Sequence, residues 1–371
     1  MIIGVNARRL EGQRLGVGRY IEYLVRHWAG MLDTGEEVVL YVREPLRPGD
    51  VLPPRFRAEV LGPRLTGLTW ENGPLVRGAR SADVLFCPSY TRPFAYRGRS
   101  VVAIHSMNEV ESGTHPWWYR FTYTPLYRSA GRRADSVIVP SESTRTDISS
   151  YYGIGEERLV VVPQGVDDSF RPVTDPAILR ATRERWLGAD RPYACFVGKL
   201  SQRRNIPLLM QAFAEAKRER DLPHALLLFG PNHLGLPLDK LAREFDIVDS
   251  FVQVDGKVEE HSELAAVYSA ADLYVSASAY EGFSITLVEA LACGTPVVTV
   301  KRAALREIAD GAALLVDEPE VEALGDAIGT VLSDDELRRD LGARGLERAK
   351  SFRWEDTARK TLDVIRAVAT A

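Results

Sequence analysis

Cysteine, lysine and long apolar runs are what this chain of 371 residues has least of. Its three cysteines, Cys87, Cys195 and Cys293, lie far apart in apolar surroundings. An odd, scattered set builds neither a disulfide framework nor a metal cluster, and it fits a reducing, cytoplasmic setting. No run of about 18 apolar residues occurs, so the sequence predicts no membrane-spanning helix. The apolar residues 1–5 are followed too soon by Asn6, Arg8 and Arg9 for the core of a signal peptide. Seven lysines stand against 40 arginines, a bias that points to GC-rich, bacterial coding rather than to chemistry. No half of the chain is strongly basic. The net charge is −4, with 21 basic and 17 acidic side chains in residues 1–165 and 26 and 34 in the remainder. That balance argues against a nucleic-acid footprint, and the mild difference in sign hints at different partners for the two halves. Asp-x-Asp is absent, and no His or Cys spacing suits a metal.

What is present describes an ordinary soluble protein, 45% apolar and 26% charged, long enough for two domains with a core each. Short apolar runs alternate with helical stretches throughout. Strands are predicted near 2–6, 37–42, 83–87, 100–104, 135–139 and 159–162, then near 193–197, 225–229, 250–254, 273–277, 296–300 and 313–316. Runs such as Ala225-Leu226-Leu227-Leu228-Phe229 lack alternation, as expected of strands buried on both faces of a parallel sheet. The pattern is α/β, in two doubly wound blocks. Pro163-Gln164-Gly165-Val166-Asp167-Asp168-Ser169-Phe170-Arg171-Pro172 marks the boundary. A terminal helix from about Ser351 carries Phe352 and Trp354 near its start and is expected to dock.

Ligands of open parallel sheets bind beyond the carboxyl ends of the strands. The richest such position is Tyr280-Glu281-Gly282-Phe283-Ser284-Ile285-Thr286-Leu287-Val288-Glu289, which continues through Gly294 and Pro296. A helix over 285–293 is predicted, with Ser284 as its N-cap and Gly294 and Pro296 ending it. Its first free amides form an anion site. Glu289 stands in a helix of otherwise apolar residues, where a carboxylate belongs at an exposed edge or against a specific donor. Read singly, Glu281 and Glu289 are equally a loop carboxylate and a solvated helix position.

This stretch resembles the E-x7-E signature of retaining glycosyltransferases of GT-B fold and family-4 type. Further segments carry the same resemblance. Residues 1–20, with Leu15-Gly16-Val17-Gly18-Arg19-Tyr20, look like the family's first strand and glycine loop, and 141–166 like the entry to its interdomain linker. Phe196-Val197-Gly198-Lys199-Leu200 with Arg203-Arg204-Asn205 looks like the first strand end of the nucleotide domain. Ala265-Ala266-Val267-Tyr268-Ser269-Ala270-Ala271-Asp272 stands where the family has a similar run before the signature.

The resemblance implies two Rossmann-like domains facing across a cleft. Residues 1–165 would bind the acceptor, 166–350 the nucleotide sugar, and 351–371 would return to the first domain as a helix. It implies transfer of a sugar from a nucleotide-diphosphate donor to an acceptor hydroxyl, with retention and with neither cofactor nor metal. The acceptor would be a glycan, a lipid-linked molecule or a small molecule. Lys199 and Arg204 would hold the diphosphate; the family usually has Arg then Lys, so the two types are exchanged here, and Arg forks where Lys is a point charge. Gly16 and Gly18 would let the backbone approach donor phosphate and sugar. His105 would face the sugar, although Ser106 follows it where the family commonly has Asp. Gly198, Gly230, Lys257 and Val258 lie at strand ends that cradle the nucleotide. Gly282, Phe283, Ser284, Ile285 and Thr286 would line the diphosphate, Glu289 would take the ribose hydroxyls, and Glu281 would orient the sugar. Glu281, His105, Lys199 and Arg204 would carry the reaction. A nucleotide-sugar epimerase and an inactive nucleotide-sugar-binding subunit are the alternatives on the same fold. The aromatic, basic stretch from Trp117-Trp118-Tyr119 to Arg132-Arg133 reads as core packing or as an acceptor or membrane-surface patch, leaving peripheral contact at the inner face of a membrane open. Pro125 argues against one clean amphipathic helix there.

Overall fold

The computed structural model describes residues 1–12, 16–47, 49–107, 117–256, 258 and 260–371, with the backbone alone for 117–120. Among these, the chain divides into two compact units. The first holds residues 1–107, 117–165 and Arg353–Ala371, and the second Val166–Phe352. Ser351 and Phe352 thus belong with the second unit, and the returning segment starts at Arg353.

Seven parallel strands form the sheet of the first unit: β1 (Ile2–Asn6), β2 (Glu37–Val42), β3 (Phe56–Val60), β4 (Val84–Cys87), β5 (Ser100–Ala103), β6 (Ser136–Val139) and β7 (Leu159–Val161). Their order is β3-β2-β1-β4-β5-β6-β7. Except for β3, each coincides with a predicted apolar run. At the sheet edge, β3 pairs with β2 from Val38 against Phe56 onward, yet Arg57, Ala58 and Val60 are exposed. An edge strand with so little buried surface has no apolar run to betray it.

The helix Trp354–Thr370 closes this unit by packing on the helix Val17–Trp28 and on β4 and β5. Trp354 stacks on Tyr23 with centroids 4.5 Å apart, and Trp28 Nε1 donates to the Ala358 carbonyl at 2.8 Å. Toward its far end, Arg366 forks onto Glu36, Nε to Oε1 at 2.9 Å and Nη2 to Oε2 at 2.7 Å, and also reaches the Met31 carbonyl at 2.9 Å. The helix Trp117–Arg133 runs through Pro125 as a single helix, and, as the sequence leads one to expect, it is not a clean amphipathic one.

The second unit is a six-stranded parallel sheet: β8 (Tyr193–Val197), β9 (Ala225–Phe229), β10 (Phe251–Val254), β11 (Leu273–Ser276), β12 (Val297–Val300) and β13 (Leu314–Val316). The order is β10-β9-β8-β11-β12-β13. Strands β8, β9, β11 and β12 are buried along their whole length, which is why their sequences are unbroken apolar runs. Both sheets are doubly wound, so each unit is Rossmann-like. No helix among the described residues is long and apolar enough to cross a membrane.

Candidate functional site

Strand order in the second unit reverses between β8 and β11, and the crevice beyond their carboxyl ends is where such a sheet takes ligands. Three glycines let the chain turn off neighbouring strands there. Gly198 follows β8, with φ 133°, and its amide donates to Phe229 O at 2.9 Å. The Gly230 amide donates to Val254 O at 2.9 Å, and a Cβ on Gly230 would overlap the carbonyl of Gly198. Gly256, with φ 68°, has Phe229 and Gly230 where its Cβ would go. Interlocked glycine backbones of this kind keep the space at the strand ends clear for a ligand, where side chains would otherwise stand. Gln253 Nε2 donates to Gly230 O at 2.9 Å and fixes that carbonyl. Val258 packs partly buried against the core, and Lys257 lies outside the described residues.

A buried cluster of charge sits beside these glycines. Glu281, 5% exposed, is gripped by two guanidiniums: Arg203 Nη1 lies 2.7 Å from Oε2, and Arg204 Nη1 pairs with Oε1. Arg203 Nη1 also donates to the Tyr280 carbonyl at 2.9 Å, and the Arg203 carbonyl accepts from the Ala279 amide at 2.8 Å. Arg203 thereby ties the turn after β8 to the loop after β11. Arg204, 9% exposed, reaches Ser278 Oγ at 3.3 Å. Burial, then the charge of Arg203, lowers its pKa to about 9, which leaves it cationic at neutral pH. Lys199 is exposed and has no ion-pair partner among the described residues. Two arginines, one lysine and one carboxylate leave the cluster net positive.

The helix Ile285–Ala292 begins at the same edge. Ser284 precedes it in the left-handed region, φ 73° and ψ 71°, so its side chain makes no capping bond. This corrects the expected N-cap: the cap residue needs extended dihedrals to aim its oxygen back at the helix amides. Its hydroxyl is buried without a partner. The Ser284 carbonyl accepts from Leu287 and Val288 at 3.2 and 3.4 Å, whereas the Ser284, Ile285 and Thr286 amides have no partner among the described residues. Phe283 lies edge-on to Phe352 at 5.7 Å beneath this turn, and Gly282 is buried. Thr286 shares a 3.0 Å bond with Tyr274 Oη. One turn into the helix, Glu289 is 3% exposed and accepts a 3.0 Å bond from Tyr268 Oη. Of the two placements the sequence allows for it, the structure takes the buried one with a specific donor.

The first unit holds the remaining predicted residues. Gly16 precedes the helix Val17–Trp28 with φ 51°, and Gly18 is buried within it. His105 lies just beyond β5 with both ring nitrogens engaged: Nε2 with Pro88 O at 2.9 Å, and Nδ1 with the amide of Gln164 at 3.1 Å. Those partners select the neutral Nε2–H tautomer, and burial lowers the pKa to about 4 against the opposing Pro88 bond. Tyr20 and Tyr90 meet its ring edge to face.

The structure therefore gathers Gly198, Lys199, Arg204, Gly230, Gly282, Phe283, Ser284, Ile285, Thr286, Glu281 and Glu289 at one edge of one sheet. Sequence reading passed over Arg203, Gln253 and Tyr268. Arg203 stands directly before Arg204 in the sequence, but neighbouring arginines give no hint of which one grips a carboxylate. Tyr268 was one apolar residue among several on its helix. Among the described residues no three or more His, Cys, Asp or Glu gather to hold a metal ion.

Two family models match the chain: "Glycosyltransferase Family 4" over residues 15–170 and "Glycosyl transferases group 1" over residues 181–348. Among curated proteins, the chain is 32% identical over 246 residues to D-inositol 3-phosphate glycosyltransferase of Corynebacterium urealyticum, covering 64% of this chain and 58% of that one. It is 31% identical over 272 residues to MMP alpha-(1->4)-mannosyltransferase of Mycolicibacterium hassiacum, covering 69% and 61%. The matches span less than two thirds of the length of these relatives. Among solved structures, sucrose-phosphate synthase of Thermosynechococcus elongatus superposes with a TM-score of 0.77 at 23% identity, over 99% of this chain and 98% of that one. HepE of Anabaena in complex with UDP-glucose superposes at 0.75 and 16% identity over 99% of both. These likenesses give the fold as GT-B, and the two glycosyltransferase models match the chain in two separate stretches, residues 15–170 and 181–348.

Proposed function

We propose that the protein transfers a glycosyl group from a nucleotide-diphosphate sugar to an acceptor hydroxyl, with retention at the anomeric carbon and without a metal ion. The observation that carries this reading is the convergence of the amides of Ser284, Ile285 and Thr286 with Lys199 and Arg204 at one strand switch point. A site that offers three backbone donors and two cations is built for a multiply charged anion. A structure of HepE with UDP-glucose and relatives named as glycosyltransferases support a nucleotide sugar as that anion.

In the proposed reaction the acceptor oxygen bonds to the anomeric carbon as the bond from that carbon to the diphosphate breaks. The acceptor proton passes to a phosphate oxygen, and the nucleoside diphosphate leaves. Charge grows on the diphosphate during this step, and Lys199, Arg204 and the helix amides stabilise it. Glu281 holds the two arginines in place and offers remaining lone pairs to sugar hydroxyls. Glu289 takes the ribose hydroxyls. His105, neutral and with both ring nitrogens taken by Pro88 and Gln164, has no ring N–H left for the sugar and is not suited to donating a proton.

The test is nucleotide binding in buffer with EDTA, using UDP, GDP, ADP and TDP and their sugar conjugates. A ligand at 100 times its Kd adds about 2.7 kcal/mol of stability, readily seen as a shift in Tm. Arg204→Ala and Glu289→Ala are each expected to weaken binding at least about tenfold, the order of one lost charge-assisted hydrogen bond. Wild-type affinity in both variants would remove the site assignment. Proton NMR of the first-formed product checks retention.

A further inference from the structure

Tyr268 has no part in the reaction as described, yet it touches a residue that does. It lies on the helix His261–Ser269 and is wholly buried. Its hydroxyl donates to Oε2 of Glu289 at 3.0 Å. The backbone around it is pinned at two successive carbonyls: Tyr193 Oη donates to Val267 O at 2.5 Å and Thr295 Oγ1 to Tyr268 O at 2.7 Å. Phe170 packs edge-on against its ring at 6.1 Å, and Tyr274 flanks it at 6.0 Å. The hydroxyl thus has one fixed position. Glu289 stands on a helix whose neighbouring Leu287, Val288, Ala290 and Leu291 are completely buried. A carboxylate in such company is held in one orientation only if a donor holds it there. Burial, reinforced by the Glu289 charge, drives the phenol pKa well above its usual value, so Tyr268 stays a donor.

We propose that Tyr268 is a positioning residue for ribose recognition: by fixing one oxygen of Glu289 it aims the carboxylate at the ribose hydroxyls and so sets the preference for ribonucleotides over deoxyribonucleotides. The proposal rests on the assignment of Glu289 to ribose. A residue that only packed the core would support every ligand equally. A residue that aims Glu289 supports only the ligands whose hydroxyls Glu289 reads.

The experiment is a comparison of Kd for UDP, GDP and ADP with their 2′-deoxy and 3′-deoxy counterparts, on the full chain, for wild type, Tyr268→Phe and Thr299→Val. Thr299→Val removes a buried hydroxyl from the same core, one that donates to Ser276 O, without touching Tyr268 or Glu289, and it is expected to lower Tm and leave the ribo-to-deoxy ratio unchanged. In Tyr268→Phe the Kd for the preferred ribonucleotide is expected to rise about tenfold while those of the deoxy forms stay within about threefold, so the discrimination collapses. Should Tyr268→Phe fold poorly, Tyr268→Met fills the same apolar space flexibly and gives the same readout. Retained discrimination in a folded Tyr268 variant would make the tyrosine structural and overturn the proposal. A wild type that binds nucleotide without discriminating would instead overturn the ribose assignment of Glu289, and the role of Tyr268 with it.

Discussion

At the scale of single residues, the site depends on places where a side chain is excluded as much as on those where one is required. Gly230 is the clearest case. Its Cβ would overlap the carbonyl oxygen of Gly198, which is backbone and cannot swing aside. The Gly198 and Gly230 amides also carry the bonds that join the ends of β8, β9 and β10. Gly230→Ala is therefore expected to cost about 1–3 kcal/mol, the range for forced overpacking. It should also move the Gly198–Lys199 turn and weaken nucleotide binding. Denaturant melts and titration with UDP on the same preparation check both effects. A variant with wild-type stability would mean that the strand ends relax easily, and the rigid-cradle account would go. Arg203 makes the complementary point. Its type and position were in plain view, but its partner came from a loop 78 residues away in the chain, as the Arg203–Glu281 pair shows. A single sequence lists charges; which of them meet depends on how strand ends line up.

At the scale of elements, the C-terminal helix is the piece whose loss should matter most to the first unit. Arg366 holds the Glu36 carboxylate by two nitrogens, and this bond first of all pulls the Glu36 pKa down. Arg366→Ala leaves a nearly buried carboxylate without its fork. Because Arg366 itself keeps a quarter of its side chain exposed, we expect about 1–3 kcal/mol rather than the larger cost of a fully buried pair. Sign and window follow from the depressed pKa. The contribution is complete above the ordinary glutamate range and fades as pH falls through the lowered value. Limited proteolysis at neutral pH should cut Arg366→Ala between residues 353 and 371 sooner than wild type; equal rates would deny the clamp its role. Most elements were legible beforehand because buried parallel strands write unbroken apolar runs. The exception, β3, has a solvent-facing surface and no such run. The helix over Pro125 keeps its run although proline there supplies no backbone N–H. Ser284 does not cap because the turn before the helix Ile285–Ala292 takes a left-handed residue there, a demand no residue type announces.

At the scale of the whole molecule, each unit carries, among the described residues, a histidine that burial keeps neutral far below its ordinary range. His105 in the first unit and His224 in the second both have a pKa lowered to about 4 by desolvation, with Arg338 and Lys217 adding to the effect at His224. In an unfolded chain each would take its proton near pH 6.5. Between those values the unfolded state binds more protons than the folded one, so stability is full above about pH 6.5 and is lost as pH falls toward 4. Each histidine contributes a slope of up to about 1.4 kcal/mol per pH unit, or roughly 2–3 kcal/mol over the window. Asp272, whose pKa burial raises, works in the opposite sense and lies 3.6 Å from His224. The first unit should therefore show the cleaner slope. Hydrogen exchange followed peptide by peptide separates the units. Protection of β5 and β9 should decline together from pH 7 to pH 5, and β5 the more steeply. His105→Gln should flatten the decline in β5 alone, and His224→Gln that in β9 alone. Level protection across this range in the wild-type chain would show that neither histidine is held neutral by the fold. A change in one unit only would show that the acid response belongs to that unit's histidine and not to the pair.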